Sequence, residues 1–193
     1  MRTVFVDVDT QLDFLLPAGA LYVPGAEKLI ARFGQLNRWA AAHGVPVVST
    51  ADAHTENDAE FRVWPPHCIA GTYGQAKPAE TLLEKRAVVD SHPAEVKLDG
   101  AQQVILEKQS TDCFTNANIA HVLAKLKADR YVVYGVVTEI CVRNAALGLL
   151  RTRKPVIVLR DAVQHLNSEA ADKFFAEFTA AGGQLANATE VMA

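Results

Sequence analysis

Cysteine is scarce in this 193-residue chain: Cys68, Cys113 and Cys141 are the only three, and no C-x-x-C pair occurs among them. An odd, scattered set of that kind argues against a disulfide framework, a zinc ribbon and a thioredoxin-type couple. Long apolar runs are missing too, since none approaches the ~20 residues of a membrane-spanning helix. The start, MRTVFVDVDTQ, carries two acids within nine residues and no small-residue cleavage site, so neither a signal peptide nor a membrane partner is expected, and the expected compartment is the cytoplasm. Charge of one sign is also lacking. With a net charge of −3 and no block of Lys or Arg, the chain offers no general attraction to nucleic acid or anionic lipid. No G-x-G-x-x-G or G-K-[ST] occurs, and GTYG at 71–74 lacks the strand–turn–helix setting of a phosphate loop. The partner class left open is a small molecule. No repeat, low-complexity segment or linker interrupts the chain, so residues 1–193 are expected to form one domain.

What is present is an alternation of two periods. Short β-branched runs (TVFVDV, VPVVST, QQVILEK, YVVYGVV, PVIVLR) are separated by segments of helical period (AEKLIARFGQLNRWAAAHG, ANIAHVLAKLKADR, CVRNAALGLLRTR, SEAADKFFAEFTAAGG). Near-continuous apolar strands between helices indicate a doubly wound, Rossmann-like α/β fold, a mainly parallel sheet with helices on both faces. Gly44, Gly182 and Gly183 fall where helical patterns end. The stretch from Ala53 to about Gln103 reads as irregular, and long irregular insertions in compact domains tend to carry function.

In an open parallel sheet, ligands bind beyond the carboxyl ends of the strands. The residues following the expected strands are Asp9, Asp52 with His54, Lys108, the turn that holds Cys141, and Asp161. Ionisable groups are poor core residues, so their concentration at one edge marks that edge as the site. Asp7 competes with Asp9 as a structural hydrogen-bonding acid, and Asp13 reads as a solvated or capping acid. Lys108, ending a strand buried on both faces, needs a carboxylate partner. Asp52 and His54 stand at i and i+2, on one side of an extended backbone, with His67 thirteen residues later. An O, N, N donor set suits zinc, iron or manganese. Phe14 and Trp64 are either core aromatics or a slot for a flat ring.

Cys141 begins a helical pattern, with Thr138 as the expected N-cap. A helix N-terminus favours a thiolate and offers unpaired N–H groups, so a lowered thiol pKa and an oxyanion donor are expected at the same point, against the alternative of a small buried hydrophobe.

The segments VFVDVDTQLDF, STADAH, VWPPHCIAGT, LEKQSTDCF and VYGVVTEICVRNAALGLL together resemble the isochorismatase-like cysteine hydrolases, and within them the nicotinamidase/pyrazinamidase group. The resemblance spans nearly the whole chain. It implies a catalytic triad of Asp9, Lys108 and Cys141, a divalent metal (zinc first, iron or manganese as alternatives) held by Asp52, His54 and His67, and a pyridine ring held by Phe14 and Trp64. It further implies a cis peptide at Val136–Val137, an oxyanion hole from the N–H groups of Val137 and Cys141, and a homo-oligomer. The implied reaction is hydrolysis of nicotinamide to nicotinate and ammonia through a thioester, a step of NAD salvage. Two departures from the group stand out: Ala53 occupies a position often bulky, and the stretch between His54 and His67 is short. A fourth metal ligand could come from Glu56, Asp58 or Glu60. The alternatives are an amidase of the same group acting on another small amide or ureide, an isochorismatase, against which the histidines count, and a non-enzymatic thiol-bearing binding module.

Overall fold

The computed structural model describes residues 1–193. Strands β1 (Thr3–Val8), β2 (Val47–Asp52), β3 (Arg86–Val89), β4 (Gln103–Lys108), β5 (Arg130–Val136), β6 (Val156–Gln164) and β7 (Gln184–Ala186) form a single sheet. It is all-parallel, in the order β3-β4-β2-β1-β5-β6-β7. The helices are α1 (Leu12–Leu15), α2 (Ile30–Ala42), α3 (Ile119–Leu126), α4 (Arg143–Leu150), α5 (Ser168–Ala180) and α6 (Ala188–Val191).

Every residue of β1 is buried, as a central parallel strand requires. Its side chains alternate between two cores. Val4, Val6 and Val8 pack with Val122 of α3, Ala145 and Leu149 of α4, and Phe174 and Phe178 of α5. Phe5 packs on the other face with Phe33, Leu36 and Ala40 of α2 and Val191 of α6. Phe33, Leu36 and Ala40 lie at i, i+3 and i+7, one stripe of a helix. The expected doubly wound fold is what the chain adopts.

Three departures from the sequence reading affect the edges. The stretch read as irregular contains β3, an edge strand with only Val89 buried, and β7 is three residues long; neither run is apolar enough to stand out. Strand β6 continues through Asp161 to Gln164 because the β5–β6 pairing shifts register, with Val133 facing Val158 but Gly135 facing Val163. Asp161 therefore sits within the strand, not beyond it.

The order places β1 at the centre, with β2 and β4 on one side and β5 on the other. The chain reverses its direction of winding between β1 and β5, and the crevice above such a switch point is where these sheets bind ligands.

Candidate active site

Four adjacent strands, β4, β2, β1 and β5, deliver Lys108, Asp52, Asp9 and the Cys141 turn to that crevice. Lys108 and Asp52 are register partners, which fixes them side by side. Asp9 lies one residue past β1 and leaves the strand with φ of 49°, its N–H held 3.2 Å from the Thr50 carbonyl and its carboxylate accepting the Thr50 hydroxyl. The Lys108 ammonium stands 2.9 Å from Asp9 Oδ2, in contact with Asp52 Oδ1, and 4.0 Å from Cys141 Sγ. All four side chains are buried.

Burial and charge work against each other here. Burial raises the Asp9 carboxyl above its ordinary value, and the Lys108 charge offsets only part of that rise. Burial alone would neutralise Lys108, but Asp52 and Asp9 keep the ammonium charged well past the usual lysine range. Asp52, buried as well, is pulled far below the carboxylate range by Lys108 and by the neighbouring imidazoles of His54 and His67.

The Cys141 turn differs from expectation. Residues Thr138–Val142 form a π-helical turn that leads into α4 at Arg143, the extended residue before it is Val137, and the buried Thr138 hydroxyl has no hydrogen-bond partner and caps nothing. The thiol pKa is raised, not lowered: desolvation dominates, Lys108 opposes it, and the neighbouring carboxylates reinforce it. A resting thiol results. The peptide bond between Val136 and Val137 is cis, and the Val137 N–H has no backbone acceptor.

Beside this cluster, Asp52, His54 and His67 bring one donor atom each within 4.8 Å of one another. Asp52 Oδ2 is 3.9 Å from His54 Nε2 and 3.6 Å from His67 Nε2. Ligand atoms at ~2.0–2.1 Å from a tetrahedral zinc stand about 3.4 Å apart, so the two Asp52–imidazole pairs need to close only slightly. Both imidazoles are oriented from behind. His67 Nδ1 lies 2.8 Å from the Pro65 carbonyl and His54 Nδ1 3.1 Å from Asp58 Oδ2, which leaves both Nε2 lone pairs facing Asp52. His54 is fully buried, yet neither ring nitrogen makes a hydrogen bond of good geometry, an arrangement a cation would satisfy. Although burial disfavours its charged form, Asp52 and Asp58 raise the His54 pKa, and the field that favours a proton there favours a metal ion equally. Of the three acids considered for a fourth position, Glu56 is exposed and Asp58 faces the far nitrogen of His54. Glu60 lines the cavity with Asp52 and His67.

That cavity also takes in Cys141 and Val137, with Phe14 and Trp64 as its aromatic walls. Leu21, Ile140 and Leu166 complete the apolar lining, and no Lys or Arg contributes to it. Asp161 is absent: it accepts the Ala188 N–H and pairs with Arg32. Asp13 is half-buried and caps no helix, taking instead the N–H groups of the loop residues Ala20 at 2.9 Å and Cys68 at 2.7 Å. Asp7 is structural, bound by Thr10 and Ser49 and paired with Lys77.

Sequence reasoning missed Gln11, a fully buried amide whose Oε1 accepts the Asp52 N–H at 2.7 Å while its Nε2 donates to the Asp52 carbonyl at 2.8 Å. It clamps the end of β2 from both sides. A glutamine two residues past the Asp9 strand end was the available signal, but spacing alone does not distinguish it from a surface amide. Leu21 and Leu166, from loops remote in sequence, carried no signal at all.

The pyrazinamidase of Pyrococcus horikoshii, solved in complex with zinc, is 29% identical and superposes with a TM-score of 0.83 over 97% of this chain and 99% of that one. The nicotinamidase of Escherichia coli K12 is 25% identical over 199 residues, 92% of this chain and 91% of its own. N-carbamoylsarcosine amidase from Thermoplasma acidophilum is 26% identical, with a TM-score of 0.77 over 97% and 96% of the two chains. The isochorismatase domain model matches residues 3–190, and with nearly the whole sequence inside that match the chain belongs to the isochorismatase domain family.

Proposed function

We propose that this chain is a metal-containing cysteine amidohydrolase that converts nicotinamide, and pyrazinamide-like amides, to the acid and ammonia. The observation that carries the proposal is the Lys108 ammonium seated against Asp9 and Asp52 and 4.0 Å from the sulfur of Cys141, which lines a cavity walled by Phe14 and Trp64. Nicotinamidase and pyrazinamidase relatives that align over nearly the whole chain support the same reading.

Asp9 accepts the proton of Cys141, a role to which its raised pKa suits it, and the sulfur attacks the carboxamide carbon. Lys108 stays charged and balances the negative charge as it passes from thiolate to substrate oxygen. The N–H groups of Val137 and Cys141 receive that oxyanion. Asp9 returns the proton to the departing nitrogen, the C–N bond breaks, and ammonia leaves a thioester. A water then gives a proton to Asp9 and attacks the thioester carbon, the C–S bond breaks, and Asp9 passes the proton to the departing sulfur, which restores the thiol as the acid leaves. Asp52, His54, His67 and Glu60 would hold the divalent ion, which when bound offers an electrophilic anchor for a ring nitrogen. Phe14 and Trp64 hold the ring between them.

A cavity with no Lys or Arg in its lining favours a neutral aromatic amide over a carboxylate-bearing ureide or isochorismate. The product, nicotinate, would enter NAD salvage in the cytoplasm. The test is ammonia release from nicotinamide by the zinc-loaded protein beside Cys141→Ala. Turnover is expected in the first and none in the second. A wild type that releases no ammonia refutes the nicotinamide assignment, and an active Cys141→Ala refutes the thioester.

A further inference from the structure

The sheet ends on β3, and no strand covers its outer edge. The Lys85 carbonyl accepts the N–H groups of Gln102 and Gln103, which fixes the parity of the β3–β4 ladder. Successive residues of a strand direct their backbone groups to opposite sides, so Lys85, Ala87 and Val89 face β4 while Arg86, Val88 and Asp90 face outward. The same parity puts the side chains of Arg86, Val88 and Asp90 on one face, and all three are exposed, Val88 at 61%. This edge carries no proline and no bulge to blunt it.

We propose that this edge pairs antiparallel with β3 of a second copy of the chain, on a two-fold axis through Val88. Val88 then lies against the partner's Val88, and Arg86 lies against the partner's Asp90 on both sides of the axis. Directly opposed residues of an antiparallel pair share a face, so the exposed valines cover each other between two Arg–Asp pairs. Other centres fail. An axis on Arg86 or Asp90 opposes like charges, and an axis on Ala87 uses groups already committed to β4. The flanking groups leave room for this pairing. Arg86 gives one guanidinium N–H to the Leu83 carbonyl at 2.8 Å, leaving the rest of its fork free. Asp90 Oδ1 takes the His92 N–H at 2.6 Å, leaving Oδ2 for arginine. The Asp90 carbonyl already accepts from Asn116 and Asn118, so the ladder consists of the mutual Val88 bonds and the two from Asp90 N–H to the Arg86 carbonyl.

The experiment is sedimentation of the wild type over a concentration series, with three variants. The wild type is expected to reach twice 20.9 kDa. Arg86→Asp opposes two acids and is expected to sediment as a monomer with an unchanged circular-dichroism spectrum, and adding Asp90→Arg restores the dimer. Val88→Cys is expected to form a disulfide-linked dimer on mild oxidation, because opposed residues of a hydrogen-bonded pair have Cα atoms ~5.5 Å apart, within disulfide range. The three native cysteines are buried and do not compete. A wild type that is monomeric throughout, a dimer that survives Arg86→Asp, or a Val88→Cys variant that does not cross-link would each overturn the proposal.

Discussion

Lys108→Met deletes one charge and keeps the stem. At 2.9 Å from Asp9 and in an effective dielectric of ~20, the gross attraction is about 6 kcal/mol, and the lysine's own desolvation cancels part of it. Removing one partner of a buried ion pair costs about 3–5 kcal/mol net, because the remaining charge is left uncompensated. Lys108, Asp9 and Asp52 are all within 2% of complete burial, so solvent screening does not reduce that figure. Against a total stability of about 5–15 kcal/mol, the variant folds but melts about 6–20 °C lower. The pH dependence carries the sharper test. In the wild type the folded lysine pKa is raised, so its contribution holds through neutral pH and is lost only as pH climbs past the ordinary lysine range. In the variant Asp9, already raised by burial, loses the opposing charge and rises further. Its folded state then binds a proton that the unfolded chain has released, so stability falls as pH rises above about 4. Urea unfolding of both proteins with chelator present, at pH 5, 6.5 and 8, is expected to show the gap widening with pH. A gap below about 1 kcal/mol at pH 8, or one that widens toward acid, would refute the assignment of Lys108 as the balancing charge.

Two further outcomes follow from the same geometry. Because burial raises the Cys141 thiol, the difference in thiolate absorbance between wild type and Cys141→Ala is expected to stay flat through neutral pH and to rise only in alkali; a step below pH 7 would restore the helix-terminus explanation. Asp58→Ala removes the carboxylate behind His54 Nδ1 and is expected to weaken zinc binding about 10–100-fold in a chelator competition, with the metal-free protein melting only a few degrees lower because Asp58 also caps the turn at Ala59–Arg62 through the Glu60 N–H. Unaltered affinity would remove Asp58 from the metal centre.

The parts of the site legible in the sequence are those set by strand parity and strand ends. Asp9, Asp52 and Lys108 were readable because a parallel sheet directs the residue after each strand to one edge, and His54 because it follows Asp52 by two. The thiol's ionisation is not legible in the same way, because the N–H groups of a helix start are local to the sequence while the desolvation of a residue 7% exposed among carboxylates is not. Asp161 misled for a local reason: a register shift carries β6 past it, and no hydrophobic pattern encodes a shift. Gln11, Leu21 and Leu166 were out of reach because their positions depend on which loops meet above the sheet.

One carboxylate joins the two halves of the site. Asp52 turns Oδ1 to the Lys108 ammonium and Oδ2 to the Nε2 atoms of His54 and His67, while Gln11 fixes its backbone. A cation bound among the imidazoles would draw charge from the same group that holds Lys108 against Asp9, so occupancy of the metal site and the affinity of Asp9 for a proton are coupled through a single residue. The coupling has a definite sign. The Asp52 charge disfavours the charged forms of both Asp9 and the Cys141 sulfur, so a cation that offset it would make both easier to ionise. The short path from Oδ2 to Oδ1 gives a physical reason why a metal ion among the imidazoles, were one bound, would help a cysteine that burial otherwise keeps protonated.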